Sequence, residues 1–138
     1  RCLMPRGDRV LFLARRTLAA VVTTINTVEG FTLIADSGAE RMVISRRAAG
    51  LLGLDLVRPL YFEPLVGIGG RVPVPGVRLD RVQVGATAVQ GLLASVYDLP
   101  AVFRADGLLG LNFLSRFRVT FEFDTRTLVL REPPVRRP

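Results

Sequence analysis

Short apolar and β-branched segments alternate with turn residues along almost the whole sequence. Leu18–Ile25 is rich in β-branched residues, residues 26–30 are turn formers, and residues 31–35 form a second apolar run. Two such runs separated by a short turn predict a β-hairpin. Because the pattern recurs towards the C-terminus, it predicts an all-β fold, either a barrel or a sandwich, in one compact domain.

The remaining predicted elements are further strands and two short helices. Ser45 is typical of a helix N-cap and Gly53 of a residue that ends a helix, so a short helix is predicted over residues 46–52. A second short helix is predicted over residues 112–117. The sequence also indicates an extended segment at 57–75, strands at 77–84 and 91–96, and a last hairpin that pairs 118–123 with Thr127–Arg131.

The 138 residues suffice for one hydrophobic core but not for two lobes. We place the domain at residues 18–131, with an N-terminal extension at 1–17 and a Pro/Arg-rich tail at 132–138. No apolar run reaches the length that crosses a bilayer, and Arg15 and Arg16 interrupt the short run before them, so no signal peptide is predicted. The chain opens on Arg1, which suggests a processed or trimmed product, and a membrane anchor would then lie outside it.

The side chains that the sequence lacks limit its chemistry. It has no His, which excludes Ser-His-Asp and Cys-His catalysis and His-ligated zinc. Cys2 is the only cysteine, so neither an internal disulfide nor a cysteine metal cluster can form. No metal and no other cofactor is expected, and any chemistry must use carboxylates, hydroxyls, Arg or the backbone.

The formal net charge is +7, and every basic residue is Arg. Binding to nucleic acid or to an anionic surface is one interpretation of such a charge. We favour an Arg-rich, GC-rich genome instead, because the sequence shows neither a clustered basic face nor interleaved aromatic residues. No nucleic-acid partner is therefore expected.

One acidic residue stands at the end of a predicted buried strand. Asp36 follows the apolar run 31–35 and precedes Ser37 and Gly38. A strand holds a carboxylate rigidly, Gly permits a tight turn, and a hydroxyl can hydrogen-bond across a site. Such a triplet alone is more often a surface turn, but the apolar run before it argues against an exposed loop. Asp36 is therefore the candidate catalytic residue.

With its later motifs, the sequence resembles the retropepsin-like aspartic peptidases, the single-lobe relatives of pepsin, and in particular their bacterial members. The resemblance runs from about residue 18 to residue 131 and rests on four segments. They are Asp36-Ser37-Gly38-Ala39, the strand end at 43–45 with its following helix, the glycine-rich segment 67–70, and 106–114, which reads DGLLGLNFL. In two places the sequence departs from the family: Ser37 stands where Thr is commoner, and Asn112 where many bacterial relatives carry Asp.

The resemblance implies a single-lobe, pepsin-like closed barrel with one or two short helices that acts as a homodimer. Asp36 of each subunit would face its counterpart around a shared water, and Ser37 and Gly38 would brace the pair. Ala39 and a glycine-rich flap would contact an extended peptide or protein substrate, and the flap residues would be Gly67, Ile68, Gly69 and Gly70. The implied activity is that of an aspartic endopeptidase without a cofactor.

Several alternatives stay open. The strongest rival function is a catalytically silent binding or assembly module on the same fold, although such a domain should first lose Asp36, the hydroxyl at position 37 or Gly38. An ordinary hairpin loop is the alternative for residues 67–70. Asp106 is interpreted as a turn residue rather than as a second catalytic acid. The compartment is not specified, and membrane attachment would need a segment outside this chain.

Overall fold

The computed structural model describes residues 2–3, 7–15, 18–67 and 70–133. Strands dominate this part of the chain, with two short α-helices and one 3₁₀ turn at Ala101–Phe103. The strands are β1 (Cys2–Leu3), β2 (Asp8–Leu11), β3 (Leu13–Arg15), β4 (Leu18–Ile25), β5 (Val28–Ala35), β6 (Met42–Ile44), β7 (Tyr61–Gly67), β8 (Gly70–Val84), β9 (Thr87–Val96), β10 (Gly107–Leu109), β11 (Arg118–Glu122) and β12 (Thr127–Arg131). The helices are α1 (Arg46–Leu51) and α2 (Leu111–Leu114). The predicted all-β class is confirmed.

Six of the strands close into a ring. The hydrogen-bonded order is β4, β5, β10, β6, β9 and β8, and β8 pairs back to β4 through Val82–Val84. The predicted closed barrel is therefore present. The long strand β8 makes closure possible, because its second half belongs to the barrel while its first half pairs with β7 in a hairpin. A separate three-stranded sheet has the order β11, β12, β2.

The barrel and the small sheet share one hydrophobic core. The core includes Val21, Leu33 and Leu92 from the barrel and Leu128 and Leu130 from β12, all buried. Most residues of β4 are buried, but Val22 is exposed between buried neighbours, as expected of a strand with one face on a core. No helix in the described part of the chain is long and apolar enough to span a membrane.

The local elements match the sequence predictions in type, but some bounds differ: the strand predicted over 77–84 begins at Gly70, and the one predicted over 91–96 begins at Thr87. The hairpin of β4 and β5, the Ser45-capped helix and the last hairpin are confirmed. The second helix was predicted over 112–117, but it begins at Leu111 and ends at Leu114. Its end is set by a tight turn in which the Phe117 amide donates to the Leu114 carbonyl, after which the chain enters β11.

The described residues before residue 18 include the strands β1, β2 and β3. Strand β2 pairs with β12, and β3 pairs with β4. The Asp8 carboxylate accepts hydrogen bonds from the Ala86 amide (3.1 Å) and the Thr87 hydroxyl (2.6 Å), at the turn that joins β8 to β9. The boundary at residue 18 stays a prediction, but the described residues just before it are hydrogen-bonded to the barrel and to the small sheet.

Candidate active site

Asp36 lies immediately after β5, where three strands meet. Strand β10 runs parallel to β5 and antiparallel to β6, so it lies between them. The Asp36 amide donates to the carbonyl of Leu109 at 3.0 Å, which continues the β5–β10 ladder by one residue. The backbone of Asp36 is thereby fixed on a strand rather than on a free loop, which is what precise placement of a carboxylate requires.

The turn after Asp36 is closed by the aspartate itself. The Gly38 amide donates to the Asp36 side chain at 2.8 Å, and the Ala39 amide donates to the Asp36 carbonyl at 3.2 Å. Asp36 is half-buried, whereas Ser37 and Gly38 are exposed. The carboxylate is therefore oriented by a backbone donor while its neighbours in the turn face outward.

Two glycines allow β10 to approach the segment after this turn. A Cβ atom added to Gly107 would lie 1.8 Å from the Val43 carbonyl oxygen, and one added to Gly110 would lie 2.3 Å from the Arg41 carbonyl oxygen. No side chain fits at either distance. The two glycines of the segment that reads GLLG therefore serve close backbone packing beside Asp36.

The Asn112 side chain links β6, the strand after the Asp36 turn, to β9. Its side-chain oxygen accepts from the Met42 amide at 3.0 Å, and its side-chain nitrogen donates to the Leu93 carbonyl at 2.8 Å. A carboxylate can accept the first bond but cannot donate the second. The departure from Asp at this position is thus explained by the bond that an amide makes to β9.

The carboxylate and the backbone of Asp106 make hydrogen bonds within the fold. Its carboxylate accepts from the Thr32 amide at 2.8 Å, and its backbone bonds both to Thr32 and to the Ser45 amide, each at 2.7 Å. Arg47 lies 3.6 Å from the second carboxylate oxygen. Asp106 thus joins β5, β10 and the start of α1, in agreement with its interpretation as a turn residue.

An apolar cavity of about 320 Å³ opens beside Asp36. Its other lining residues are apolar, namely Leu18, Ile34, Ala35, Leu99, Phe103 and Leu108. Asp36 is thus the one acidic residue among those that line this cavity. A carboxylate at the edge of an apolar cavity can face an apolar side chain and a neighbouring backbone group at the same time.

Comparison with known proteins agrees with this geometry. Residues 21–116 match the family model described as "gag-polyprotein putative aspartyl protease". The matched residues are well over half of the chain and include the Asp36 turn and the GLLG segment. The chain belongs to this aspartyl protease family.

Solved structures of retropepsin-like proteases share the fold. A retropepsin-like aspartic protease from Rickettsia conorii superposes with a TM-score of 0.69 at 22% sequence identity, covering 92% of this chain and 96% of that one. The retroviral protease-like domain of Ddi1 from Leishmania major gives 0.56 at 20% identity, covering 87% and 97%. EIAV protease in complex with the inhibitor HBY-793 also gives 0.56, at 17% identity, covering 75% and 92%. No curated protein sequence matches significantly.

The predicted site residues of this family member fall into two groups. Asp36, Ser37, Gly38 and Ala39 form one turn, as described above. Gly67 ends β7, Gly70 begins β8, and the two pair with each other at the tip of that hairpin, while Ile68 and Gly69 lie outside the described residues. The hairpin approaches the Asp36 turn through its stem, because Glu63 and Leu65 of β7 line a second cavity together with Ala39.

Sequence reasoning missed the polar residues around this second cavity. Arg41 donates to the Glu63 carboxylate at 2.9 Å and to the Tyr61 hydroxyl at 2.8 Å, and Ser95 donates to the other oxygen of Glu63. Burial, followed by the negative charges of Glu63 and Asp36, raises the pKa of the Tyr97 phenol. In the sequence, Arg41 and Glu63 are charged residues beside apolar runs. This pattern does not identify which residues they contact.

The described residues contain no group of three or more His, Cys, Asp or Glu side chains that could hold a metal ion. The site itself consists of a carboxylate in a structured turn beside an apolar cavity that can accept an apolar side chain.

Proposed function

We propose that this protein is a homodimeric aspartic endopeptidase in which Asp36 of each subunit forms one half of the catalytic pair. The observation that carries the proposal is the rigid Asp36 turn at the β5–β10 junction, open to an apolar cavity that contains no other carboxylate. Peptide hydrolysis by this chemistry needs two carboxylates. The other acids near the Asp36 turn lie outside the apolar cavity: the Asp106 carboxylate accepts from the Thr32 amide, and Glu40 and Glu63 line a second cavity. The second carboxylate is therefore assigned to a second subunit.

The two Asp36 carboxylates would share one proton. Two like charges at short range cannot both ionise easily, so the pair titrates as a unit. The ionised member removes a proton from a water molecule, and the protonated member donates to the carbonyl oxygen of the scissile bond. The Gly38 amide, which already donates to the Asp36 side chain, helps to keep one carboxylate oxygen in place during this exchange. Ser37 would brace the pair across the subunit boundary.

The substrate would be an extended peptide with an apolar side chain next to the scissile bond. The cavity of about 320 Å³ has the size and lining for such a side chain. The β7–β8 hairpin would act as a flap, since its stem borders the Asp36 turn and its tip carries the glycine-rich segment. Closure of a flap excludes water and adds backbone contacts to an extended chain.

The test is cleavage of a mixed peptide library from about pH 3 to about pH 8 by the wild type and two variants. Asp36→Asn removes the proposed catalytic carboxylate without changing its size, and cleavage should fall by at least about a thousandfold. Asp106→Asn is the matched control: it alters an acid that contacts only structural groups, so any loss should appear in stability rather than in the identity of the products.

A bell-shaped dependence of kcat/KM on pH would report the shared pair. Absence of cleavage by the wild type at high protein concentration, where dimers should form, would contradict the proposal. It would favour the silent binding module on the same fold.

A further inference from the structure

The second cavity beside the Asp36 turn has a chemistry opposite to that of the first. It measures about 200 Å³, and its polar lining comes from Glu40, Arg41, Glu63, Ser95 and Tyr97. Ala39, three residues after Asp36, forms part of its wall. Side chains of an extended peptide alternate in direction, so a peptide that places one residue in the apolar cavity can direct another towards this polar one.

Glu63 is held in one position within this cavity. One of its carboxylate oxygens accepts from Arg41 at 2.9 Å, and the other accepts from the Ser95 hydroxyl. Arg41 is itself fixed, because it donates to the Tyr61 hydroxyl and lies 5.5 Å from the centre of the Tyr61 ring. Each carboxylate oxygen can accept a further hydrogen bond, so Glu63 keeps acceptor capacity for a ligand.

The balance of charge in the cavity is negative. Glu40 and Glu63 contribute two negative charges and Arg41 one positive charge, which leaves a net charge of −1 among the lining residues. The single cation is already paired with Glu63 and bonded to Tyr61, whereas Glu40 is exposed. An incoming positive side chain would therefore meet a net negative charge among the lining residues, and an incoming carboxylate would meet repulsion.

We propose that this cavity is a substrate side-chain subsite that selects a cationic residue, Lys or Arg, and that Glu63 is its main specificity determinant. The inference rests on the proposed function in that the ligand is an extended peptide bound along the Asp36 turn. It does not rest on turnover, since a silent module with the same surface would show the same preference in binding.

Peptide binding to the Asp36→Asn variant tests the subsite without cleavage. Fluorescently labelled peptides share one apolar anchor residue, and each other position in turn carries Lys, Gln or Glu, with fluorescence anisotropy as the readout. We expect one position at which Lys binds at least about tenfold more tightly than Glu, with Gln between them. Adding Glu63→Gln should reduce this ratio to about twofold at that position and leave the other positions unchanged.

Two further variants complete the experiment. Glu40→Gln removes the exposed charge of the cavity and should lower the same ratio, which keeps the proposal testable if Glu63→Gln does not fold. Glu29→Gln removes an exposed carboxylate at the far end of β5, about 20 Å from Asp36 along the strand, and should leave the ratio unchanged.

The subsite proposal is overturned if no position prefers Lys to Glu, or if the preference survives both Glu63→Gln and Glu40→Gln. A Glu63-dependent preference for Lys in binding, without cleavage by the wild type, would support the subsite and contradict the peptidase function. Cleavage by the wild type with no charge preference at any position would support the peptidase function and contradict the subsite.

Discussion

At the scale of single residues, Gly107 lies so close to the backbone of β6 that no side chain fits there. Its strand, β10, lies between β5 and β6, and a Cβ atom at this position would lie 1.8 Å from the Val43 carbonyl oxygen and 3.0 Å from the Ile44 Cα atom. We expect Gly107→Ala to lower the free energy of unfolding by at least about 3 kcal/mol, because backbone on a neighbouring strand must move. Urea denaturation measures this loss.

Gly50 provides the matched control. It lies within α1, is exposed, and has nothing within 4 Å of an added Cβ atom. Gly50→Ala should therefore raise the free energy of unfolding by about 0.5–1 kcal/mol, the ordinary benefit of Ala over Gly in a helix. Equal effects of the two substitutions would show that β10 is not packed as closely as described.

Sequence reasoning located residues whose signal is local and missed those whose partners are distant. The Asp36 turn was predictable because the apolar run, the acid, the hydroxyl and the Gly are consecutive. The Arg41–Glu63 and Asn112–Leu93 contacts join residues 22 and 19 positions apart, and nothing in either segment indicates the other. Long-range polar pairing depends on the register of strands, which composition does not specify.

At the scale of elements, α1 depends on its N-cap. The Ser45 hydroxyl accepts from the Ala48 amide at 3.0 Å, whereas the Asp98 carboxylate accepts from a different amide of the first turn, that of Arg46, at 2.9 Å and so does not replace this bond. Ser45→Ala should lower the free energy of unfolding by about 1 kcal/mol. Ser115→Ala is the control: that exposed serine, at the end of α2, has no capping role for its side chain in the described contacts, so its replacement should cost less than about 0.5 kcal/mol.

The elements themselves were largely predictable, and the reason is physical. The β4–β5 hairpin and α1 are specified by residues adjacent in sequence, a short turn in one case and a cap with a terminal Gly in the other. For α2 the prediction placed both ends too late in the chain. The start of α2 is fixed by contacts with a remote segment, since the Leu111 amide donates to the Ala39 carbonyl at 2.7 Å.

At the scale of the whole molecule, barrel closure depends on pairings between segments far apart in sequence. Gly107 pairs with Leu33 and Leu109 with Ala35, and the Asp106–Thr32 bond spans 74 positions. No local pattern predicts such a parallel pairing. The resemblance to a known family implied a closed barrel without specifying this pairing, and the same resemblance implied that one such barrel is half of an active site.

The shared-pair proposal makes a quantitative prediction for mixed dimers. If each active site takes one Asp36 from each subunit, a dimer of wild type with Asp36→Asn should be nearly inactive, because one carboxylate cannot serve as both acid and base. When wild type is mixed with a threefold excess of Asp36→Asn and allowed to exchange, activity per total subunit should fall to about one sixteenth, the share of pure wild-type pairs in random association. Independent subunits would retain about one quarter. The measurement is the initial rate of cleavage of the best library peptide at constant total protein, with Asp106→Asn replacing Asp36→Asn as the control that should lose little rate. If the activity per total subunit of the mixture falls only to about one quarter, the shared-pair model is contradicted and catalysis is assigned to groups within one chain.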